Sequence, residues 1–267
     1  MANQLKVAVL GGGVMGEALI AALIRSGIEP SLISVVEKRP DRSAELIAKY
    51  GITSDGLQGA VSTSDVILLV VKPQDMQTLL SEIKPHINSS SLVMSFAAGK
   101  TIAFIRENLS SSQPIVRIMP NTPTSVGLGA AGYSFGSAVA QHHREFVASL
   151  LAAAGKAVEV DESLQDAITA TSGSGPAYFF AFVEAMIEGS IALGLTREDA
   201  TTLTIQTIVG SAALLENSGD SPTTLREKVT SPNGTTAAAL ASLSNDHLSE
   251  IVARAMKAAH ARSQELA

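Results

Sequence analysis

The 267-residue sequence contains no cysteine. Disulfide bonds, thiolate metal sites and a cysteine nucleophile are therefore excluded together, and no metal site is predicted. Basic residues are in the minority, because 19 Lys and Arg stand against 25 Asp and Glu, and they form no cluster. A chain with a net charge of -6 repels polyanions, so nucleic-acid binding is disfavoured and small molecules are the expected partners.

Long apolar runs and a targeting segment are also missing. Apolar runs such as residues 66–71 are far shorter than the roughly 18 residues of a membrane-spanning helix, so no membrane partner is expected. The first six residues, 1–6, lack the basic start and long apolar stretch of a signal peptide, and we expect a cytoplasmic protein. The chain is 46% hydrophobic, enough for one large domain or two modest ones.

Short β-branched runs alternate with helical stretches in the first half of the chain. Near-continuous apolar strands separated by helices are typical of an α/β fold with a doubly wound parallel sheet. We therefore predict such a domain over residues 1–161. Its predicted strands are residues 5–10, 32–36, 66–71, 92–96 and 115–119.

The sequence pattern of the second half predicts only helices. Runs rich in Ala, Leu, Ile and Met are separated by Gly and Pro breaks. Residues 175–195 are apolar on almost all sides, with Glu184 and Glu188 as their only charges, so this helix should be buried on most sides. We predict an all-helical dimerisation domain over residues 162–267, in which helices of two subunits pack together. A central helix of a single bundle is the alternative.

A glycine-rich loop lies between the first predicted strand and a helix. In the pattern G-x-G-x-x-G, Gly11 permits the tight turn, Gly13 lets the backbone approach a pyrophosphate, and Gly16 lets helix and strand pack closely. The helix N-terminus can then hold the anion. We predict a Rossmann-type dinucleotide site, with a merely structural glycine turn as the alternative. The predicted loop contacts are Gly11, Gly12, Gly13, Val14, Met15 and Gly16.

Glu37 ends the second predicted strand. It lies about 20 residues beyond Gly16, near the separation expected for a ribose-binding acid, and its carboxylate suits the free 2′-hydroxyl of NAD. Lys38 and Arg39 follow directly and could pair with the 2′-phosphate of NADP, although they could equally be solvated charges at a helix start. The two signals conflict. We expect NADP(H), with NAD(H) as the alternative.

Three later strand ends carry small or turn-forming residues at the edge where such sheets bind ligands. The prolines at positions 120 and 123 bracket Asn121 and fix an extended turn, which could present Asn121 to a nicotinamide or a substrate. A surface lysine is the alternative for Lys72. The predicted coenzyme contacts are Val70, Val71, Lys72 and Pro73, then Ala97 and Ala98, then Met119, Pro120 and Asn121.

An uncharged loop precedes a helix in the second half, where residues 229–240 read Val-Thr-Ser-Pro-Asn-Gly-Thr-Thr-Ala-Ala-Ala-Leu. The Asn-Gly pair indicates a turn and the threonines are helix caps. A helix start rich in free N–H groups and hydroxyls suits a single carboxylate. Ordinary capping without a ligand is the alternative.

Five segments resemble the successive motifs of the pyrroline-5-carboxylate reductase family in order and spacing: residues 11–16, 71–73, 117–123, 166–178 and 229–236. The resemblance covers nearly the whole chain, and the last two motifs are specific to that family. It implies reduction of 1-pyrroline-5-carboxylate to L-proline. It also implies an imino-acid substrate bound between the domains, across a dimer of interlocked helices.

The resemblance also implies individual roles. Thr236 matches the family threonine beside the substrate nitrogen and is the expected catalytic residue. Family members commonly have Gly where this chain has Asn233, but Asn tolerates a left-handed backbone, so the loop geometry is expected to survive. The substrate-binding residues that the resemblance implies are Glu162, Lys228, Ser231, Gly234, Thr235 and Thr236.

The lack of a plausible base favours an imine over an alcohol substrate. Alcohol dehydrogenases need a Lys or His base near the nicotinamide, but residues 175–195 contain no Lys, His or Arg, and the five histidines lie in polar, helix-surface contexts. A cyclic imine can take its proton from water and needs only orientation and one hydrogen bond. The alternatives are a related imine or β-hydroxy-acid reductase, and a non-catalytic NADPH-sensing protein.

Overall fold

The structure is a computed structural model that describes residues 4–266. Residues 1–3 and 267, which include the outer limits of both predicted domains, lie outside the described residues. Two compact units are present: Met1–Pro176 together with Ala258–Ala267, and Ala177–Lys257. The domain limit between residues 161 and 162 stays a prediction.

One eight-stranded sheet organises the first unit. Its strands are β1 (Val7–Leu10), β2 (Ile33–Val36), β3 (Thr53–Ser54), β4 (Val66–Leu69), β5 (Leu92–Ser95), β6 (Ile115–Met119), β7 (Gly129–Phe135) and β8 (Gly155–Glu159). The strand order is β3-β2-β1-β4-β5-β6-β7-β8, and only the β6–β7 pair is antiparallel among these strands. The order reverses direction between β1 and β4, which confirms the doubly wound α/β prediction.

Two hydrophobic clusters form the core of this unit. Val7 and Val9 belong to one cluster, and Ala8 and Leu10 belong to the other, because successive side chains of a strand point to opposite faces. Both faces of the central strands are therefore covered. The helices of this unit are α1 (Val14–Arg25), α2 (Pro40–Tyr50), α3 (Leu57–Thr63), α4 (Met76–Ile83), α5 (Ile102–Asn108), α6 (Gln141–Ala154) and α7 (Gln165–Ile168).

Three strands of the sheet were not predicted. The short β3 is exposed, and β8 also faces solvent along much of its length. The first four residues of β7 are Gly-Ala-Ala-Gly, a segment with low strand propensity. Pairing with β6 and β8 holds β7 in the sheet, and no local pattern encodes that pairing.

The second unit is entirely helical, as predicted. Its helices are α8 (Gly175–Ala192), α9 (Arg197–Asn217), α10 (Pro222–Lys228), α11 (Thr235–Asn245) and α12 (Leu248–Glu265), of which α8 begins and α12 ends in the first unit. No helix in the described part of the chain is long and apolar enough to cross a membrane.

The second unit has almost no core of its own. Between residues 177 and 257, all of which are described, only Ala200 and Thr204 are buried. Large apolar side chains lie open instead: Phe179 is 64% exposed, Phe180 61% and Val209 55%. The alternative of a helix buried within a single-subunit bundle is therefore wrong, and these faces require a partner.

Candidate active site

The glycine loop joins β1 to α1 at the carboxyl edge of the sheet. Gly11 has a φ of +116°, and a side chain there would lie 2.5 Å from the carbonyl oxygen of Val70. Gly16 packs against the Gly11 carbonyl with no room for a side chain, whereas the space beside Gly13 is open. Each glycine therefore has the geometry that its expected role requires. Contact with a dinucleotide itself stays a prediction.

The carboxylate of Glu37 is tied to this loop. Its Oε2 accepts a hydrogen bond from the N–H of Gly12 at 2.9 Å, and its Oε1 accepts from the backbone N–H of Arg39 at 3.1 Å. The Arg39 Nε also donates to Oε1, at 3.2 Å. Burial raises the pKa of Glu37, but these interactions outweigh it, and the pKa lies below its usual 4.5. Glu37 is therefore ionised at neutral pH.

Arg42, in the first turn of α2, holds the other side of Gly12. Its Nε donates to the Gly12 carbonyl oxygen at 2.8 Å, and its guanidinium also binds the carboxylate of Glu17. Hydrogen bonds from Lys49 and Arg42 lower the pKa of Glu17 to about 2, and Tyr50 donates to the same carboxylate at 3.0 Å. Charged side chains thus fix both polar groups of the Gly12 backbone, which preorganises the loop.

The remaining predicted coenzyme contacts follow β4, β5 and β6. Because β1, β4, β5 and β6 run parallel, their carboxyl ends meet at one edge of the sheet. The structure therefore brings together residues 11–16, 70–73, 97–98 and 119–121. At this edge Lys72 is exposed, whereas Ala97 and Pro120 are buried.

The side chain of Asn121 is engaged within the fold. It is 8% exposed, and its Oδ1 accepts a hydrogen bond from the N–H of Ala130 at 2.8 Å. This bond ties the segment after β6 to the start of β7. Presentation of Asn121 to a nicotinamide or a substrate stays a prediction.

The loop before α11 has the expected backbone geometry. Asn233 has a φ of +56°, which is the left-handed conformation that it was expected to tolerate. The Gly234 N–H donates to the Ser231 carbonyl oxygen at 3.0 Å, and a side chain at Gly234 would collide with the Ser231 hydroxyl. Gly234 caps α11 without a side-chain hydrogen bond, and among the described residues the backbone N–H groups of Thr235 and Thr236 have no partner.

Glu162 and Lys228 lie in different units, and each has a partner within its own. The Nζ of Lys228 lies 2.6 Å from Oδ2 of Asp220, and the pair is exposed. The Oε1 of Glu162 accepts from the backbone N–H of Ile102 at 2.7 Å and from Nη1 of Arg117 at 3.3 Å. A contact of Glu162 or Lys228 with substrate stays a prediction.

Comparisons with known proteins match both halves of the chain. Residues 162–266 match the family model described as pyrroline-5-carboxylate reductase dimerisation, and residues 6–99 match that of NADP oxidoreductase, coenzyme F420-dependent. The chain is 41% identical over 265 residues to the pyrroline-5-carboxylate reductase of Corynebacterium melassecola, covering 97% of this chain and 98% of that protein. The solved Coxiella burnetii pyrroline-5-carboxylate reductase is 35% identical, with a TM-score of 0.92 and 99% of each chain covered.

The chain belongs to the pyrroline-5-carboxylate reductase family.

Membership of the pyrroline-5-carboxylate reductase family confirms the resemblance of the five sequence segments. It also confirms the enzyme class, an oxidoreductase of proline biosynthesis that uses a nicotinamide dinucleotide. The dimerisation match over residues 162–266 confirms a homo-oligomer and accounts for the exposed apolar helices of the second unit. A further solved member, from Plasmodium falciparum with NADP bound, is 29% identical, with a TM-score of 0.89 over 99% of this chain and 98% of that one.

Sequence reasoning missed three charged residues that contact the segments of the candidate site: Arg42, Glu17 and Arg117. Glu17 lies in the first turn of α1 and Arg42 in the first turn of α2, both beside the glycine loop. Their opposite charges were the signal in the sequence that could have predicted the pair. Arg117 stands inside a strand that was predicted to be buried, and a buried arginine requires acidic partners. Its partners are Asp166, the first residue of the motif at 166–178, and Glu162, four residues before it.

Proposed function

We propose that the protein reduces 1-pyrroline-5-carboxylate to L-proline, with the coenzyme on the glycine loop and the substrate on the loop before α11. Residues 1–161 carry the coenzyme, and residues 162–267 carry the substrate loop and the subunit contacts. Family membership also supports action in the cytoplasm. The coenzyme part of the proposal is carried by the glycine loop, which is open at Gly13 and held at Gly12 at the carboxyl edge of the sheet. The substrate part is carried by the 41% identity, over 97% of this chain, to the Corynebacterium melassecola pyrroline-5-carboxylate reductase.

The residues present fit a dinucleotide. Gly13 caps α1 without a side-chain hydrogen bond, and within the described residues the backbone N–H groups of Val14, Met15 and Gly16 have no partner. A pyrophosphate suits such a helix start, because free N–H groups and the helix dipole favour an anion. When bound, the nicotinamide supplies a hydride to the imine carbon.

The loop before α11 fits the substrate carboxylate. The free N–H groups of Thr235 and Thr236 and the hydroxyl of Ser231 offer hydrogen bonds, and residues 229–240 contain no charged side chain. In this proposal the Thr236 hydroxyl hydrogen-bonds the ring nitrogen and orients the C=N bond. The nitrogen takes its proton from water, so the chain needs no dedicated base.

NADPH is the proposed preferred coenzyme, with NADH as the alternative. Lys38 and Arg39 are exposed beside Glu37, and Arg39 pairs with its carboxylate at 3.2 Å. This pairing offsets the repulsion that Glu37 would exert on a 2′-phosphate. The Plasmodium relative with NADP bound supports the same preference. The carboxylate of Glu37 itself, which suits a free 2′-hydroxyl, supports the alternative.

The test is turnover of pyrroline-5-carboxylate by the purified protein, followed by the loss of NADPH or NADH absorbance. The variant Thr236→Ala should lower kcat by about tenfold or more, because an oriented hydrogen bond to the reacting group is lost, while NADPH affinity stays unchanged. Thr236→Ser should retain most activity. The control is Thr201→Ala, because among the described residues the Thr201 hydroxyl donates only to the Arg197 carbonyl oxygen in α9.

Other outcomes would contradict the proposal in different ways. Unchanged kcat in Thr236→Ala removes the proposed role of Thr236. Turnover of a β-hydroxy acid or another imine, but not of pyrroline-5-carboxylate, replaces the substrate. Binding of NADPH without turnover of any of these compounds favours a sensing protein.

A further inference from the structure

The C-terminal turn, residues 263–266, belongs to the first compact unit. It contacts the rest of that unit at two points. Ser263 is 2% exposed, and its hydroxyl donates to Oδ1 of Asp166 at 2.6 Å. Beyond the end of α12, the backbone of Leu266 lies directly over Gly99. A side chain on Gly99 would come within 2.7 Å of the carbonyl carbon and oxygen of Leu266. The absence of a side chain at Gly99 is therefore what lets the C-terminal turn approach.

Gly99 lies in the segment that connects β5 to α5. It directly follows Ala97 and Ala98, two of the proposed coenzyme contacts at the carboxyl end of β5. Gly99 is buried and has a φ of +76°, so the segment turns sharply at this residue. The backbone of Leu266 packs against this turn and leaves the residues after β5 little freedom to move away from the sheet edge.

A partly buried ionic network joins this turn to the interior of the sheet. The side chain of Arg117, on β6, is 6% exposed, and its Nη2 lies 3.8 Å from Oδ1 of Asp166. Its Nη1 lies 3.3 Å from Oε1 of Glu162. The same Glu162 oxygen accepts from the N–H of Ile102, the first residue of α5, at 2.7 Å. The β5–α5 segment is thus held at its end by Glu162 and at Gly99 by the C-terminal turn.

The carboxylates of this network are stabilised by the hydrogen bonds that they accept. One guanidinium serves two carboxylates, and a poorly exposed carboxylate is costly unless donors satisfy its oxygens. Ser263 supplies Asp166 with the shorter of its two contacts, 2.6 Å against 3.8 Å from Arg117. Loss of the C-terminal turn would therefore disturb Asp166 and Arg117 as well as uncover Gly99.

We infer that the C-terminal turn is a positioning element of the coenzyme site, because it fixes the residues after β5 in the shape that receives the dinucleotide. This inference rests on the proposed coenzyme site. It assigns residues 263–266 a role in coenzyme affinity, distinct from the subunit contacts made by the second unit.

The first test compares full-length protein with Ser263→Ala and with a chain ending at residue 262. Both changes should raise the dissociation constant and the KM for NADPH by about threefold to tenfold, as expected for the loss of a partly buried hydrogen bond to a carboxylate, with kcat at saturation within about twofold. Ser263→Thr keeps the hydroxyl and should restore affinity. The control is Arg262→Ala, in α12 directly before the C-terminal turn; its side chain is 69% exposed and pairs only with Glu265 in the described structure.

The second test is a double-mutant cycle at Gly99. Gly99→Ala in the full-length chain carries both backbone strain and the collision with Leu266, whereas in the shortened chain it carries only the strain. Its effect on NADPH affinity should therefore be smaller in the shortened chain. Equal effects in the two backgrounds would show that the contact with Leu266 does not matter, and would contradict the inference.

Direct titration with NADPH and NADH separates the two proposals. A full-length protein that binds neither coenzyme contradicts the proposed function. Normal binding that Ser263→Ala and truncation leave unchanged contradicts only the inference. Light scattering and thermal unfolding accompany each titration, and an affinity loss that appears only with loss of the oligomer also contradicts the inference. If the shortened chain does not fold, the full-length Ser263 variants decide.

Discussion

The guanidinium of Arg42 donates a hydrogen bond to the carbonyl oxygen of Gly12 at 2.8 Å. A loop with three successive glycines samples many backbone conformations when it is free, and ordering it on binding costs affinity. Arg42 and Glu37, which grip Gly12 from opposite sides, hold one conformation in advance. Coenzyme affinity should therefore depend on Arg42, a side chain outside the proposed coenzyme contacts, as well as on Glu37.

Replacing Arg42 with Met should weaken NADPH binding by about tenfold, because the loop loses a charge-assisted hydrogen bond and must be ordered on binding. Direct titration of the coenzyme measures this loss. Lys49→Met is the matched control, since Lys49 also binds Glu17 but does not reach Gly12. An equal loss in the control would assign the effect to Glu17 and not to the grip on Gly12.

Coenzyme selectivity should respond in opposite directions to changes at Arg39 and Glu37. Arg39→Ala removes the cation that pairs with Glu37, so the ratio of kcat/KM for NADPH over NADH should fall several-fold. Glu37→Gln removes the negative charge beside the ribose, so the same ratio should rise. Steady-state kinetics with both coenzymes measure it. A preference for NADH in the unmodified protein would overturn the proposed coenzyme choice.

Replacing Glu17 with Gln should produce a pH-dependent loss of stability. The pKa of Glu17 falls from 4.5 to about 2 in the folded chain, so its charge stabilises the fold above pH 4.5 and this contribution disappears as the pH falls toward 2. Near neutral pH the free energy of unfolding should drop by about 1 kcal/mol, since solvent screens a partly exposed pair. Urea unfolding at several pH values should show that the difference in free energy of unfolding between the variant and the unmodified protein disappears under acid conditions. Glu45 is a partner of Arg42 that is 58% exposed, so Glu45→Gln should lower the free energy of unfolding by less than Glu17→Gln does.

Replacing Phe180 with Asp should break the subunit assembly. Phe180 is 61% exposed in the single chain and lies on α8, in the region that matches the dimerisation family. A charge buried at a subunit contact without a partner costs several kcal/mol. Light scattering should then report a smaller species. Ile47→Asp, at an exposed apolar residue of α2, should leave the molar mass unchanged; a smaller species there as well would point to general destabilisation.

The fold was predictable where the sequence pattern is local. Central strands such as β1 and β4 are buried on both faces, so they read as continuous apolar runs. β7 could not be predicted in this way, because close packing requires glycine at position 129 although glycine has low strand propensity. A side chain there would meet the Ala154 carbonyl oxygen at 2.9 Å. That requirement comes from a contact distant in sequence.

The candidate site was predictable to a similar extent. The glycine spacing and the turn at Asn233 are local signals, and the backbone has the expected geometry at both. The residues that hold the site act across long sequence separations: Ser263 on Asp166, and Arg42 on Gly12. No periodicity or motif spacing links such pairs, because only the folded sheet brings them into contact.

The near absence of buried residues between positions 177 and 257 also bears on how the protein is made. The sheet has a core within one chain, whereas helices α8 to α11 need a second copy to bury their apolar faces. We therefore expect maturation to be second order in chain concentration. At low expression the rate of encounter between chains, and not the rate of sheet formation, sets the supply of finished enzyme, and chains that wait are open to aggregation and proteolysis.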